Sequence, residues 1–177
     1  MTRKWNFIII LLSCFLTACT TKIINHSPCN AVNFYYKTAV VPFSNYTETP
    51  LAGERAMSIT AAVLESRCIY NLVVYKDDQS GKILFPGMNR VKSQEALMRW
   101  ARNQGARYML TGSVNEWTYK VGLDGEPVVG LSMQVIDLWS GRIVWASAGS
   151  ENGGPRTAVS TVAQKLINSM IKGLFPR

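Results

Sequence analysis

Residues 113–148, SVNEWTYKVGLDGEPVVGLSMQVIDLWSGRIVWASA, carry an apolar–polar alternation that only extended chain can use. Val129, Leu131, Met133 and Val135 fall on one side and Gly130, Ser132 and Gln134 on the other, the period of a sheet with one buried and one wetter face. Two turns divide the stretch. The first, Leu123-Asp124-Gly125-Glu126-Pro127, is acidic and contains the Asp-Gly pair that favours a tight hairpin. The second, Asp137-Leu138-Trp139-Ser140-Gly141, places a tryptophan where a hairpin is ordinarily polar. The spacing predicts a three-stranded antiparallel meander with an acidic tip and an aromatic tip, and these tips are the candidate contact surfaces.

The elements around the meander follow from periodicity. Residues 37–43 read as a short buried strand with Pro42 near its end. Thr49 and Pro50 suit the cap and first position of a helix whose stripe is Ala56, Ile59, Thr60, Val63 and Leu64. Residues 68–75 read as a second strand that begins at Cys68, and Ser93 caps a second helix that Gly105 ends. Residues 107–114 lead into the meander. After it, Val159, Val162, Ala163, Leu166, Ile167, Met170, Ile171 and Leu174 mark a helix that packs along its whole length. This order predicts an α/β (α+β) fold: a mixed sheet of about five strands with a C-terminal antiparallel meander, packed by about three helices in one domain over residues 37–177.

Residues 1–18 do not belong to that fold. Arg3 and Lys4 precede an apolar run at 7–16 that is too short to span a bilayer and is flanked as a signal peptide is flanked. It ends in Leu16-Thr17-Ala18-Cys19, which resembles the lipobox of bacterial lipoproteins. That resemblance implies a lipid on Cys19, the first mature residue, and Thr20 in place of an inner-membrane retention Asp favours the outer membrane. Several acyl chains at roughly 0.8 kcal/mol per buried methylene anchor a protein without a spanning helix. Residues 19–36 then read as a lipidated tether of irregular composition, with a reach of at most roughly 60 Å.

Charge and cysteine usage narrow the chemistry. Lys and Arg number 19 against 11 Asp and Glu, a net +8; without Arg3 and Lys4 the balance is 17 against 11, or +6. A secreted lipoprotein meets no nucleic acid, so the basic surplus is not read as a nucleic-acid surface. With Cys14 in the leader and Cys19 lipidated, Cys29 and Cys68 remain in an oxidising compartment as a candidate disulfide. The single histidine, His26, lies in the tether without a catalytic partner, so neither a nucleophilic triad nor a metal site is expected. No phosphate-cradling glycine motif occurs. The carboxylate pairs Asp77–Asp78 and Asp124–Glu126 both sit in solvated turns, which do not hold the separations or raised pKa values that glycoside cleavage needs. The sequence therefore reads as non-enzymatic, without a cofactor beyond the covalent lipid.

Two sets of residues carry a family resemblance. Thr38-Ala-Val-Val-Pro-Phe-Ser-Asn45 before an amphipathic helix, with Gly105-Ala-Arg-Tyr-Met-Leu-Thr-Gly-Ser113 later, resembles periplasmic domains related to the curli secretion channel and the Tol N-terminal domain. Residues 112–131 together with 135–145 resemble the PelC lipoproteins of Pel exopolysaccharide export systems. This resemblance implies a homo-oligomeric ring on the periplasmic face of the outer membrane, held by lipid and tryptophans. It also implies that the ring guides a cationic, amino-sugar-rich polysaccharide to an outer-membrane barrel export protein. Asp124 and Glu126 would then carry the acidic opening, and Trp139 or Trp145 would face the membrane. Trp117 reads as a strand packing residue, and alternation sets Trp145 beside Ile143, so a core position is open for it too. The alternative functions are a lipoprotein activator of a periplasmic cell-wall synthase, for which the tether is short, and a monomeric structural lipoprotein.

Overall fold

The computed structural model describes residues 21–26, 32–76, 93–120 and 125–175. The leader, Cys19, Cys29 and Asp124 lie outside the described residues. Within them seven strands form one sheet: β1 (Lys22–His26), β2 (Thr38–Val40), β3 (Ser44–Asn45), β4 (Leu72–Val74), β5 (Tyr108–Tyr119), β6 (Pro127–Asp137) and β7 (Ile143–Asn152). The helices are α1 (Ala52–Glu65), α2 (Gln94–Asn103) and α3 (Val159–Ile171), the last ending in a 3-10 turn at Lys172–Leu174. The strand order is β1-β7-β6-β5-β2-β4, with β3 added alongside β5.

The meander is as expected: β5, β6 and β7 pair antiparallel in sequence. Beside it, β2 runs parallel to both β4 and β5. The chain leaves β2 through α1 to reach β4 on one side, then returns through α2 to β5 on the other. Right-handed crossovers in opposite directions put α1 and α2 on opposite faces. Across β6 and β7 lies α3, which packs against α1. One face of the sheet is thus closed by α1 and α3, and among the described residues the helix on the other is α2.

On the closed face, Leu110, Val114, Leu131, Met133 and Val135 meet the stripe of Leu166, Ile167 and Met170, all essentially inaccessible. Each such side chain contributes roughly 1.5–3 kcal/mol of burial, which explains why the 3.6-residue stripe of α3 runs without interruption. Ser93 caps α2 by accepting from the Ala96 N–H at 3.2 Å, and Gly105, at φ 72°, follows its end. The Tyr119 hydroxyl takes the first N–H of α3, at Val159, at 3.1 Å.

Two bulges set which side chains reach the core. Val114 pairs with Leu131 and Glu116 with Gly130, so Asn115 is the extra residue on β5. Every side chain after it changes face, and Trp117 enters the core with Val129. On β7, Val135 pairs with Trp145 and Ile136 with Ile143, which leaves Val144 as the extra residue. Simple alternation would put Trp145 and Ile143 together; the bulge parts them, with Trp145 1% exposed and Ile143 57%.

Three expectations change. Five residues of the segment read as a tether belong to the sheet, because β1 adds to the edge strand β7, with Lys22 opposite Glu151 and His26 opposite Ser147. Thr49 and Pro50 do not start α1; its cap is Leu51, in the left-handed region at φ 59°. The Thr49 hydroxyl instead donates to the Trp117 carbonyl at 2.6 Å and ties the loop to β5. Cys68 does not begin a strand: it lies exposed in a left-handed turn at φ 63°, its thiol free among the described residues, and β4 starts four residues later. Its expected partner Cys29 is outside those residues.

Candidate functional site

The two tips of the meander lie at opposite ends of the sheet, and the structure attaches different elements to each. At the acidic end the hairpin closes through the Lys120 N–H, which donates to the Glu126 carbonyl at 2.8 Å, with Gly125 at φ 51°. The entering chain arrives at the same end. Thr21 donates its N–H to Asn152 Oδ1 at 2.9 Å and accepts from the Asn152 N–H at 3.2 Å, while Lys22 Nζ pairs with Glu151 at 3.0 Å. Gly153, next in the chain, donates to the carbonyl of Pro127, the residue after Glu126. Glu126 is half-buried in this cluster.

At the other end, Asp137 organises the aromatic turn. Its Oδ1 accepts from the Trp139 N–H at 2.9 Å and the Ser140 N–H at 3.5 Å, and Oδ2 meets the Arg107 guanidinium at 3.2 Å. Burial pushes the Asp137 carboxyl up, but the Trp139 N–H, Arg107 and the Ser140 N–H outweigh it and hold it below the ordinary carboxylate range. Burial likewise lowers the Arg107 guanidinium, and its bond to Asp137, with the neighbouring tyrosines, more than reverses that. The pair is ionised throughout the neutral range. Arg107 then lies 4.2 Å from the Trp139 ring centroid, 4.8 Å from that of Tyr36 and 5.5 Å from that of Tyr108. These are cation–π distances. Trp139 is 74% exposed, yet its backbone and one neighbour are fixed. Arg102 adds two bonds, from Nε and Nη2, to the Leu138 carbonyl at 3.2 and 3.0 Å.

The sequence-level candidates are therefore not gathered in one place. Glu126 and the entering strand are together; Trp139 is at the far end, about 30 Å away along a strand that rises ~3.3 Å per residue. Trp145 is in the core, so it presents no ring to a membrane. Arg107 was not legible as a partner of Trp139, because only the register Tyr108–Asp137 brings it beside the turn, and Tyr36 and Arg102 reach that turn from other segments of the chain. Among the described residues no three His, Cys, Asp or Glu side chains gather closely enough for a metal ion, and no helix is long and apolar enough to cross a membrane.

Comparison with known proteins settles the family. The PelC dodecamer from Paraburkholderia phytofirmans superposes with a TM-score of 0.73 at 36% sequence identity, over 89% of this chain and 99% of that one. The chain belongs to the PelC family. A single-substitution variant of the same PelC agrees, with 37% identity, TM-score 0.70, and 86% and 98% of the two chains covered. Lipoprotein GNA1162 from Neisseria meningitidis, 18% identical with a TM-score of 0.54 over 77% of this chain and 96% of its own, shares the fold. Residues 78–150 also match the family model described as peptidoglycan-synthase activator LpoB, which covers less than half of the chain. No curated protein sequence matches significantly. Membership of the PelC family makes the chain a non-enzymatic outer-membrane lipoprotein of the polysaccharide and cell-wall systems.

Proposed function

We propose that this PelC-family chain is one subunit of a ring on the periplasmic face of the outer membrane, anchored by lipid on Cys19, and that the ring guides a cationic polysaccharide to a barrel export protein. The observation that carries this reading is the match to a dodecameric PelC over 89% of this chain and 99% of that one. Residues 1–18 act as the leader and the rest as one periplasmic unit that starts at β1, within the segment read as a tether. The described chain enters at Thr21, two residues after Cys19 in sequence and hydrogen-bonded to Asn152. The lipid and the acidic turn of Asp124 and Glu126 are thus at one end of the subunit. Repetition around a ring supports the guiding role. A single exposed carboxylate attracts a cation weakly in water, whereas a ring lined with one sign of charge focuses the field.

The LpoB match over residues 78–150 favours a second reading, an activator that docks on a cell-wall synthase. Such docking needs reach across the wall, and a strand that begins at Lys22 shortens the tether further. The deciding measurement is the mass of the mature chain in detergent, backed by crosslinking in membranes. A multi-subunit ring is expected, and a monomer in both sinks the proposal. Asp124→Ala with Glu126→Ala should then reduce polymer export at unchanged protein level; wild-type export would remove the turn from the path.

Trp139 meets the bilayer only if the strands lie along the membrane plane, since the lipid leaves from the opposite end. In vesicles of brominated phospholipid, a flat arrangement quenches Trp139 fluorescence, and Trp139→Phe abolishes most of that quenching. Equal quenching in the variant would place Trp139 away from the headgroups.

A further inference from the structure

The end of the sheet opposite the acidic turn gathers more exposed ring surface than Trp139 alone. Tyr35 and Tyr36, just before β2, pack edge to face with centroids 5.9 Å apart, and the Tyr36 ring lies 6.4 Å from that of Trp139. Tyr35 is 84% exposed, Trp139 74% and Tyr36 39%. Three neighbouring rings open to solvent mark a contact surface. Backbone bonds fix where they stand. The Arg107 N–H donates to the Lys37 carbonyl at 2.9 Å and the Leu138 N–H to the Arg107 carbonyl at 2.8 Å, which joins the chain ahead of β2, the start of β5 and the aromatic turn.

Cations surround the rings. Lys37 Nζ donates to the Gln104 carbonyl at 3.0 Å, and Arg102 donates to the Leu138 carbonyl. A carbonyl positions a cation without cancelling its charge. Arg142 is exposed, and its own carbonyl, which accepts from the Asp137 N–H at 2.9 Å, ties it to the same turn. Arg107 differs: Asp137 neutralises it, and it holds the Trp139 ring. Lys37, Arg102 and Arg142 are therefore three charges without a paired carboxylate among the described residues. Apart from Glu65, the last residue of α1, and Asp137, the described carboxylates sit toward the acidic end: in the loop and first turn of α1, the first turn of α2 and the approaches to the acidic turn.

Amphipathic rings interleaved with cations suit the headgroup layer of an anionic bilayer. Tryptophan and tyrosine set an apolar ring at headgroup depth with a polar tip toward water. Lysine or arginine near a negatively charged membrane multiplies affinity about fivefold per residue. We propose that this end of the subunit is a docking surface for anionic phospholipid headgroups, where Lys37, Arg102 and Arg142 meet phosphates and Trp139, Tyr35 and Tyr36 enter the layer beneath them. The inference rests on the reading of Trp139 as a residue that meets the bilayer, and adds that the contact selects for negative charge. Because Arg107 and Asp137 already hold the ring and the turn, contact orders little more of the chain.

The mature chain with Cys19→Ser, which removes the lipid, is titrated with vesicles of phosphatidylcholine alone and with about 30% phosphatidylglycerol added. Three cations predict tighter binding to the anionic vesicles by about a hundredfold at low salt, and loss of most of that difference at about 1 M salt, where screening acts beyond about 3 Å. Arg142→Gln should weaken anionic binding about fivefold, and Arg102→Gln with Arg142→Gln about twentyfold. Lys120→Gln with Lys165→Gln, the same loss of charge away from this end, should leave it within about twofold. Equal affinity for the two vesicles overturns the charge selection while the membrane role of Trp139 stands; binding to neither removes both. A loss in the lysine pair as large as in the arginine pair would make the attraction one of net charge and overturn the surface. So would a crosslink from Ser140→Cys to a second copy in membranes, which would make this end a subunit contact.

Discussion

Alanine at Gly53 is expected to lower the stability of the domain by about 3 kcal/mol or more, beyond the usual 1–3 kcal/mol of overpacking. A Cβ at this position would stand 2.0 Å from the Phe43 carbonyl oxygen and 3.0 Å from its carbon. Both are backbone atoms, and the Phe43 N–H itself donates to the Gly53 carbonyl at 3.4 Å, so neither partner can rotate away. The strand–loop segment at 41–43 and the start of α1 would have to separate. With total stabilities of roughly 5–15 kcal/mol, that is a large share. Urea unfolding of Gly53→Ala against wild type measures it, and a loss below about 1 kcal/mol would mean that α1 slides without penalty.

Trp117→Ala should cost about 3–5 kcal/mol, the range for removal of a buried aromatic. Trp117 is 2% exposed and sits in the core opposite Val129. Its Nε1 has no hydrogen-bond partner among the described residues, so Trp117→Phe removes a donor that is already unsatisfied and keeps most of the apolar volume. Phenylalanine is therefore expected to cost less than about 1.5 kcal/mol. Comparable losses in the two variants would show that the indole N–H is satisfied after all. Because the Trp117 carbonyl also receives the Thr49 hydroxyl, displacement of the ring should loosen the loop between β3 and α1.

Much of this was legible because it depends on period. The meander, the stripe of α3 and the Ser93 cap are local statements: alternation of two, recurrence at 3.6, a hydroxyl three residues before a free N–H. The resemblance to PelC was equally local, and the family match extends over 89% of the chain. What was not legible involved the meeting of distant segments. The β1 strand has no periodic signal in five residues; it forms because the β7 edge offers unpaired backbone groups, with Glu151 placed to receive Lys22. Arg107 is an ordinary strand-entry residue until the register puts it beside Asp137 and Trp139.

The sequence by itself determined that the chain carries an antiparallel meander and a packed C-terminal helix, because each of these is written in the spacing of neighbouring side chains. Only the tertiary structure decided which face each tryptophan takes. One extra residue at Asn115 and another at Val144 reverse the alternation, and that sends Trp117 into the core and separates Trp145 from Ile143. It also decided that the short N-terminal strand enters beside the acidic turn and opposite Trp139. Pairing between a short N-terminal strand and a strand more than a hundred residues later is a contact energy, to which no local period points.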